Sequence, residues 1–107
     1  MISEHTLCEA VNRLVSVANP VKVILFGSYA TGEATEDSDL DLMVIEPEAG
    51  ITGQARFILR DAVGDIGTGV DVLVFSEKEA NQRGQVPGTV IYWALKEGKV
   101  MYEAPTH

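Results

Sequence analysis

Two aspartates separated by one residue, Asp39 and Asp41, open an apolar run that continues as Leu42-Met-Val-Ile45. Separated from Asp39 by ten intervening residues, the pair Gly27-Ser28 closes another apolar run, Val21-Lys-Val-Ile-Leu-Phe26. A third acid, Asp71, interrupts a third such run, Val70-Asp-Val-Leu-Val-Phe75. In an extended strand alternate side chains share a face, so Asp39 and Asp41 project together while Leu40 and Leu42 turn to the other side. Neighbouring carboxylates repel each other and lose hydration, so they need a proton or a cation to sit side by side. Three strand-borne aspartates and a small-residue turn point to a divalent-metal site for phosphate chemistry.

The elements that must hold these residues follow from periodicity. Leu7, Val11, Leu14, Val15 and Ala18 keep the helical period, with Ser3 or Thr6 as cap and Thr6-Leu-Cys-Glu9 as a capping box. Asn19-Pro20 stops this helix before the first strand. The second strand ends at Glu46-Pro47-Glu-Ala-Gly50, and Ile51, Ala55, Ile58, Leu59 and Ala62 resume the helical period up to Gly64. The third strand follows the loop 65–69. Ser76 and Glu79 have the spacing of a helix start, residues 81–86 read as a loop, and Pro87 suits the first turn of a last helix ending at Gly98. Lys99-Val-Met-Tyr-Glu103 reads as a short edge strand. The order α-β-(turn helix)-β-α-β-α-β predicts an α/β fold with a small mixed β-sheet of three to four strands flanked by helices.

The chain has 107 residues, 46% of them apolar, which suits one domain spanning residues 1–107 with a single core. No run is long enough to span a membrane, and the N-terminus lacks the basic-then-apolar form of a signal peptide. The single Cys8 has no internal disulfide partner, so a soluble cytoplasmic protein is the expectation. Acidic residues outnumber basic ones 16 to 8, for a formal charge of −8. That balance argues against nucleic acid as the main substrate, since affinity for its backbone comes largely from Lys and Arg.

The Gly-Ser-x10-Asp-x-Asp arrangement with a later strand aspartate resembles the DNA polymerase β-type nucleotidyltransferase superfamily. The short chain is similar to the minimal nucleotidyltransferases within it, many of which are antitoxins paired with a HEPN-domain ribonuclease toxin. The resemblance covers nearly the whole chain and implies that Asp39 and Asp41 hold two Mg²⁺ ions and that Asp71 completes the catalytic site. It further implies that Gly27 and Ser28 bind the phosphates of ATP, and that AMP passes to a hydroxyl, a tyrosine of the HEPN toxin. The chemistry agrees: Mg²⁺ prefers hard oxygen ligands and shares them with substrate phosphates. Many relatives carry an arginine where this chain has Thr31, in Tyr29-Ala30-Thr31-Gly32; a guanidinium there would grip the triphosphate, and Arg56, Arg60 or a partner's residue is left to substitute.

Two other functions compete. A non-catalytic antitoxin would neutralise its toxin by binding, using Tyr92, Trp93 and the acidic surface. An adenylyltransferase acting on a small molecule would need a partner chain to complete its pocket. His5 and His107 near the termini read as solvated surface, Cys8 as half-buried packing on the first helix, and Glu36 and Asp37 as solvent-facing charge. Val90, Ile91, Ala94 and Leu95 form the apolar stripe of the last helix, with Tyr92 and Trp93 beside it.

Overall fold

The computed structural model describes residues 2–47 and 55–105. Residues 48–50, Ile51, His107 and the side chains of Ala55 and Arg56 lie outside the described residues. In chain order the elements are α1 (Glu4–Ala18), β1 (Lys22–Phe26), α2 (Ser28–Thr31), β2 (Leu40–Glu46), α3 (Ala55–Val63), β3 (Val70–Ser76), α4 (Glu77–Arg83), α5 (Val90–Glu97) and β4 (Lys99–Glu103).

The four strands form one mixed sheet in the order β3-β2-β1-β4. β1 runs antiparallel to both β2 and β4, while β2 and β3 are parallel, and α3 supplies the crossover that a parallel pair requires. Both faces of the sheet are covered. Val23, Leu25, Leu40, Leu42, Val44, Val70 and Val72 alternate onto the face packed by α1 and α3. Ile24, Met43 and Ile45 turn the other way, onto Ala80 of α4 and Ile91 and Ala94 of α5. Two-sided burial explains why β2 reads as a continuous apolar run after Asp41: Leu42, Met43, Val44 and Ile45 are all buried.

The strands and the edge position of β4 match the expectation from periodicity, and so does the capping box of α4. There the Ser76 hydroxyl accepts from the Glu79 N–H at 3.0 Å and the Glu79 carboxylate from the Ser76 N–H at 3.1 Å. Asn19, with φ of 50°, closes α1 in the left-handed region, its N–H donating to the Val15 carbonyl. Arg13 then ties α1 to the end of α3 by donating to the Val63 carbonyl at 2.6 Å.

Several local expectations are corrected. Ser3, not Thr6, caps α1: its hydroxyl accepts from the Thr6 N–H at 3.1 Å, so no box forms between Thr6 and Glu9. Residues 81–83 continue α4 rather than starting a loop, and Pro87 does not lie in the first turn of α5, which starts at Val90 with Thr89 as its cap, the hydroxyl accepting from the Tyr92 N–H at 3.1 Å. Cys8 is exposed. On α3, Leu59 and Val63 are buried whereas Phe57 and Ile58 face outward, and on α5 Val90 and Leu95 are exposed.

The cap assignment gives a direct check on α1. Ser3→Ala is expected to cost about 1 kcal/mol, the usual value of a lost hydroxyl cap, in urea unfolding. Glu9→Ala should stay within about 0.5 kcal/mol of the parent chain, as an exposed helical position does. The reverse order would restore Thr6 and Glu9 as the cap.

Candidate active site

Strand register arranges the α4/α5 face of the sheet in rows. Ile24, Met43 and Leu73 form one row, and the next, at the end of the sheet, is Phe26, Asp41 and Asp71. Asp41 and Asp71 are thus direct neighbours on parallel strands, whose backbones lie about 4.8 Å apart. Asp39 stands one step before β2. Its loop is pinned by the Leu40 N–H donating to the Gly69 carbonyl at 2.8 Å and the Thr68 hydroxyl donating to the Ser38 carbonyl at 2.9 Å.

Two glycines make room for the carboxylates. Gly27 has φ of 74° and ψ of −156°, a conformation that L side chains avoid. A Cβ there would also collide with Oδ2 of Asp41, and a Cβ on Gly69 would collide with Oδ1 and Cγ of Asp39. Asp41 therefore leans toward the end of β1 and Asp39 toward the loop before β3. The sequence places Asp39, Asp41 and Asp71 on one side of the sheet, but their oxygens are not gathered into a cage. Among the described residues no three Asp, Glu, His or Cys side chains converge as a ready set of metal ligands. The register nevertheless keeps the backbones of Asp41 and Asp71 adjacent.

Asp41 is half-buried, whereas Asp39 and Asp71 are exposed. Its carboxyl is held above the usual range, first by burial, then by the negative charge of Asp71 and of Asp39. A divalent cation would relieve all three causes, and the donor set is wholly hard oxygen, the kind magnesium takes. The three acids fit such an ion in kind.

Ser28 opens α2 directly after Gly27. The Gly27 carbonyl accepts from the N–H groups of Ala30 and Thr31 at 3.0 and 3.2 Å, and no side chain caps the turn. Its first N–H groups, those of Ser28 and Tyr29, have no partner within the turn, as at any helix start, and are available to an anion. Thr31 turns its hydroxyl back to the Ser28 carbonyl at 3.4 Å.

Two open cavities flank these acids. One of about 180 Å³ lies beside Gly27, with Phe26, Thr31, Val90, Trp93 and Glu97 among its walls. The other, of about 300 Å³, lies beside Gly69 and is lined by Phe57, Arg60, Asp61 and Thr68. Sequence reasoning missed Gly69, whose role depends on the β2–β3 register, and Glu97, which lines one cavity with Thr31 only in the folded chain. It weighed Arg60 as a phosphate or partner contact, and the structure places Arg60 in the Gly69 cavity, away from Gly27.

Residues 6–101 match the nucleotidyltransferase domain family. A protein of Methanocaldococcus jannaschii, provisionally named a protein adenylyltransferase, is 32% identical over 117 residues, covering 95% of this chain and all of its own length. A solved structure provisionally named a minimal nucleotidyltransferase is 33% identical, with a TM-score of 0.54 and 89% of each chain covered. The fold is also that of a toxin–antitoxin crystallised with AMP-PNP, with a TM-score of 0.66 at 21% identity over 91% of this chain and 73% of that one.

The raised Asp41 carboxyl predicts how stability depends on pH in metal-free buffer. An acid whose folded pKa is raised holds its proton more tightly when folded, so it favours folding at low pH and disfavours it as pH rises past that pKa. Asp41→Asn is therefore expected to raise Tm at pH 7, with the gain shrinking toward pH 4. Thermal denaturation across that range checks it; a variant less stable than its parent at pH 7 would remove the repulsion argument.

Proposed function

The chain belongs to the nucleotidyltransferase domain family, as a minimal nucleotidyltransferase, and on that premise we propose that it transfers AMP from ATP to a hydroxyl of a protein. The acceptor is a tyrosine of a HEPN-domain toxin, and the modification makes this chain the antitoxin. The observation that carries the reading is the row that sets Asp41 beside Asp71, with Asp39 one step away and the Gly27-Ser28 turn at its flank. The relative named as a protein adenylyltransferase supports a protein acceptor, and the toxin–antitoxin of like fold supports a toxin as the partner.

Asp39, Asp41 and Asp71 would hold magnesium, which when bound neutralises phosphate charge and lowers the pKa of the attacking hydroxyl. Gly27 lets the phosphates approach the backbone, and Ser28 donates its N–H and hydroxyl to them. A tyrosine hydroxyl has a pKa near 10 and must lose its proton to attack at neutral pH. Asp71, the exposed carboxylate on the outermost strand, accepts that proton. The phenol oxygen bonds to the α-phosphorus, the bond from that phosphorus to the bridging oxygen breaks, and pyrophosphate leaves. In the cytoplasm, ATP is the available donor.

A non-catalytic antitoxin is the second reading. It draws on the outward-facing Val90 and Trp93 of α5.

Labelled ATP, Mg²⁺ and the HEPN toxin separate the two. Transfer of labelled AMP to the toxin, located by mass spectrometry, is expected with the parent chain. It should fall by about a thousandfold in Asp39→Asn/Asp41→Asn, the loss of several kcal/mol of metal-borne stabilisation. No label with the parent chain, and neutralisation that persists in the double variant, would leave binding as the function.

A further inference from the structure

The cavity beside Gly27 is a mixed surface. Phe26 and Val90 are apolar, Trp93 presents an indole that is 45% exposed, and Glu97 is the one charged residue of the lining. Thr31 spends its hydroxyl on the Ser28 carbonyl and brings no charge. Among the described residues none of the lining is basic, although the adjoining turn is where phosphates would sit. The cavity beside Gly69 differs in this respect, because Arg60 already lines it.

An aromatic face and a carboxylate in one small pocket recognise a planar cation. A guanidinium stacks on indole and pairs with a carboxylate at the same time, whereas an ammonium does the second better than the first. Its volume of about 180 Å³ suits one side chain rather than a ligand as large as a nucleotide. The chain's formal charge of −8 also favours a basic partner.

We infer that this pocket receives an arginine side chain from the protein substrate, stacked on Trp93 and paired with Glu97, which brings positive charge next to the phosphate turn. The inference rests on the nucleotidyl-transfer reading and names what the acceptor contributes to that same site. The acceptor then supplies part of the electrostatic machinery for its own modification. Nucleotide binding and partner binding become mutually reinforcing, since whichever arrives first raises the affinity for the other by the same factor.

Trp93 is the only tryptophan of the chain, so its fluorescence reports on the pocket directly. Argininamide, titrated into the full chain at low salt, is expected to change Trp93 emission saturably. Lysinamide should bind about two- to fivefold more weakly, the usual worth of guanidinium stacking at an exposed site, and citrulline amide, whose ureido side chain is uncharged, should give no saturable change. Glu97→Gln should weaken argininamide by about two- to fivefold, as for an exposed ion pair. ATP with Mg²⁺ should tighten it.

An absent argininamide response, or an equal one to citrulline amide, would overturn the guanidinium pocket. An argininamide affinity unchanged by bound ATP would overturn its link to the phosphate turn. ATP uptake is measured separately by calorimetry. Failure there would defeat the nucleotidyl-transfer reading, while the nucleotide-free titration still decides the pocket.

Discussion

A row of carboxylates laid across the end of an otherwise apolar sheet face is the constraint around which this molecule is organised. Behind the row, Ile24, Met43 and Leu73 continue the same face into the core under α4 and α5. Asp41 is held there by strand pairing and cannot escape to solvent without breaking the register of β2. It is partly desolvated and repelled by Asp71 and Asp39, and its carboxyl is pushed up as a result. Gly27 and Gly69 are glycines for the same reason, because a side chain at either position would occupy space that an aspartate already fills. Such an arrangement opposes folding in the absence of a counter-charge, and the rest of the fold must offset it.

The offset comes mainly from the other face. Leu14, Leu40, Leu42, Val44 and Val63 are wholly buried between the sheet and the helices α1 and α3, at about 1.5–3 kcal/mol for a large side chain. None of that face is needed for chemistry. The division lets a 107-residue chain carry an electrostatically unfavourable row and remain folded. Two-sided burial is unusual for so short a chain, and it follows from the parallel β2–β3 pair, whose crossover helix must cover one face while the later helices cover the other.

Much of this was legible in the sequence because strand alternation is strict. Leu40 and Leu42 facing the core forces Asp39 and Asp41 to the opposite side, whatever the sheet order. The Ser76–Glu79 box was equally readable, since both partners lie within one turn. Competition between equivalent local signals was less so: Ser3 and Thr6 both fit a cap, and Pro87 and Thr89 both fit the start of α5. Residues 81–83 carry no apolar periodicity, and they are helical because the capped turn before them propagates. Tertiary neighbours were not readable at all. Gly69 opposes Asp39 only through the β2–β3 register, and Trp93 and Glu97 line a cavity with Thr31 only because α5 packs against β1.

The position of the acidic row and its charge have separate origins. The Cα positions of Asp41 and Asp71 are set by hydrogen-bonded strands and do not depend on a ligand. Their charge balance does, because holding Asp41 ionised beside Asp71 and Asp39 needs positive charge to offset a repulsion that burial strengthens. With eight basic residues against sixteen acidic ones, the chain is poorly supplied to provide that charge itself. A site with rigid backbones and repelling side chains is therefore preorganised in position and incomplete in charge. Completing it requires cations from outside, and a basic partner is a source of them as natural as a metal ion. On this view the acidity of the chain, which first argues against nucleic acid, also makes assembly of the site conditional on what binds.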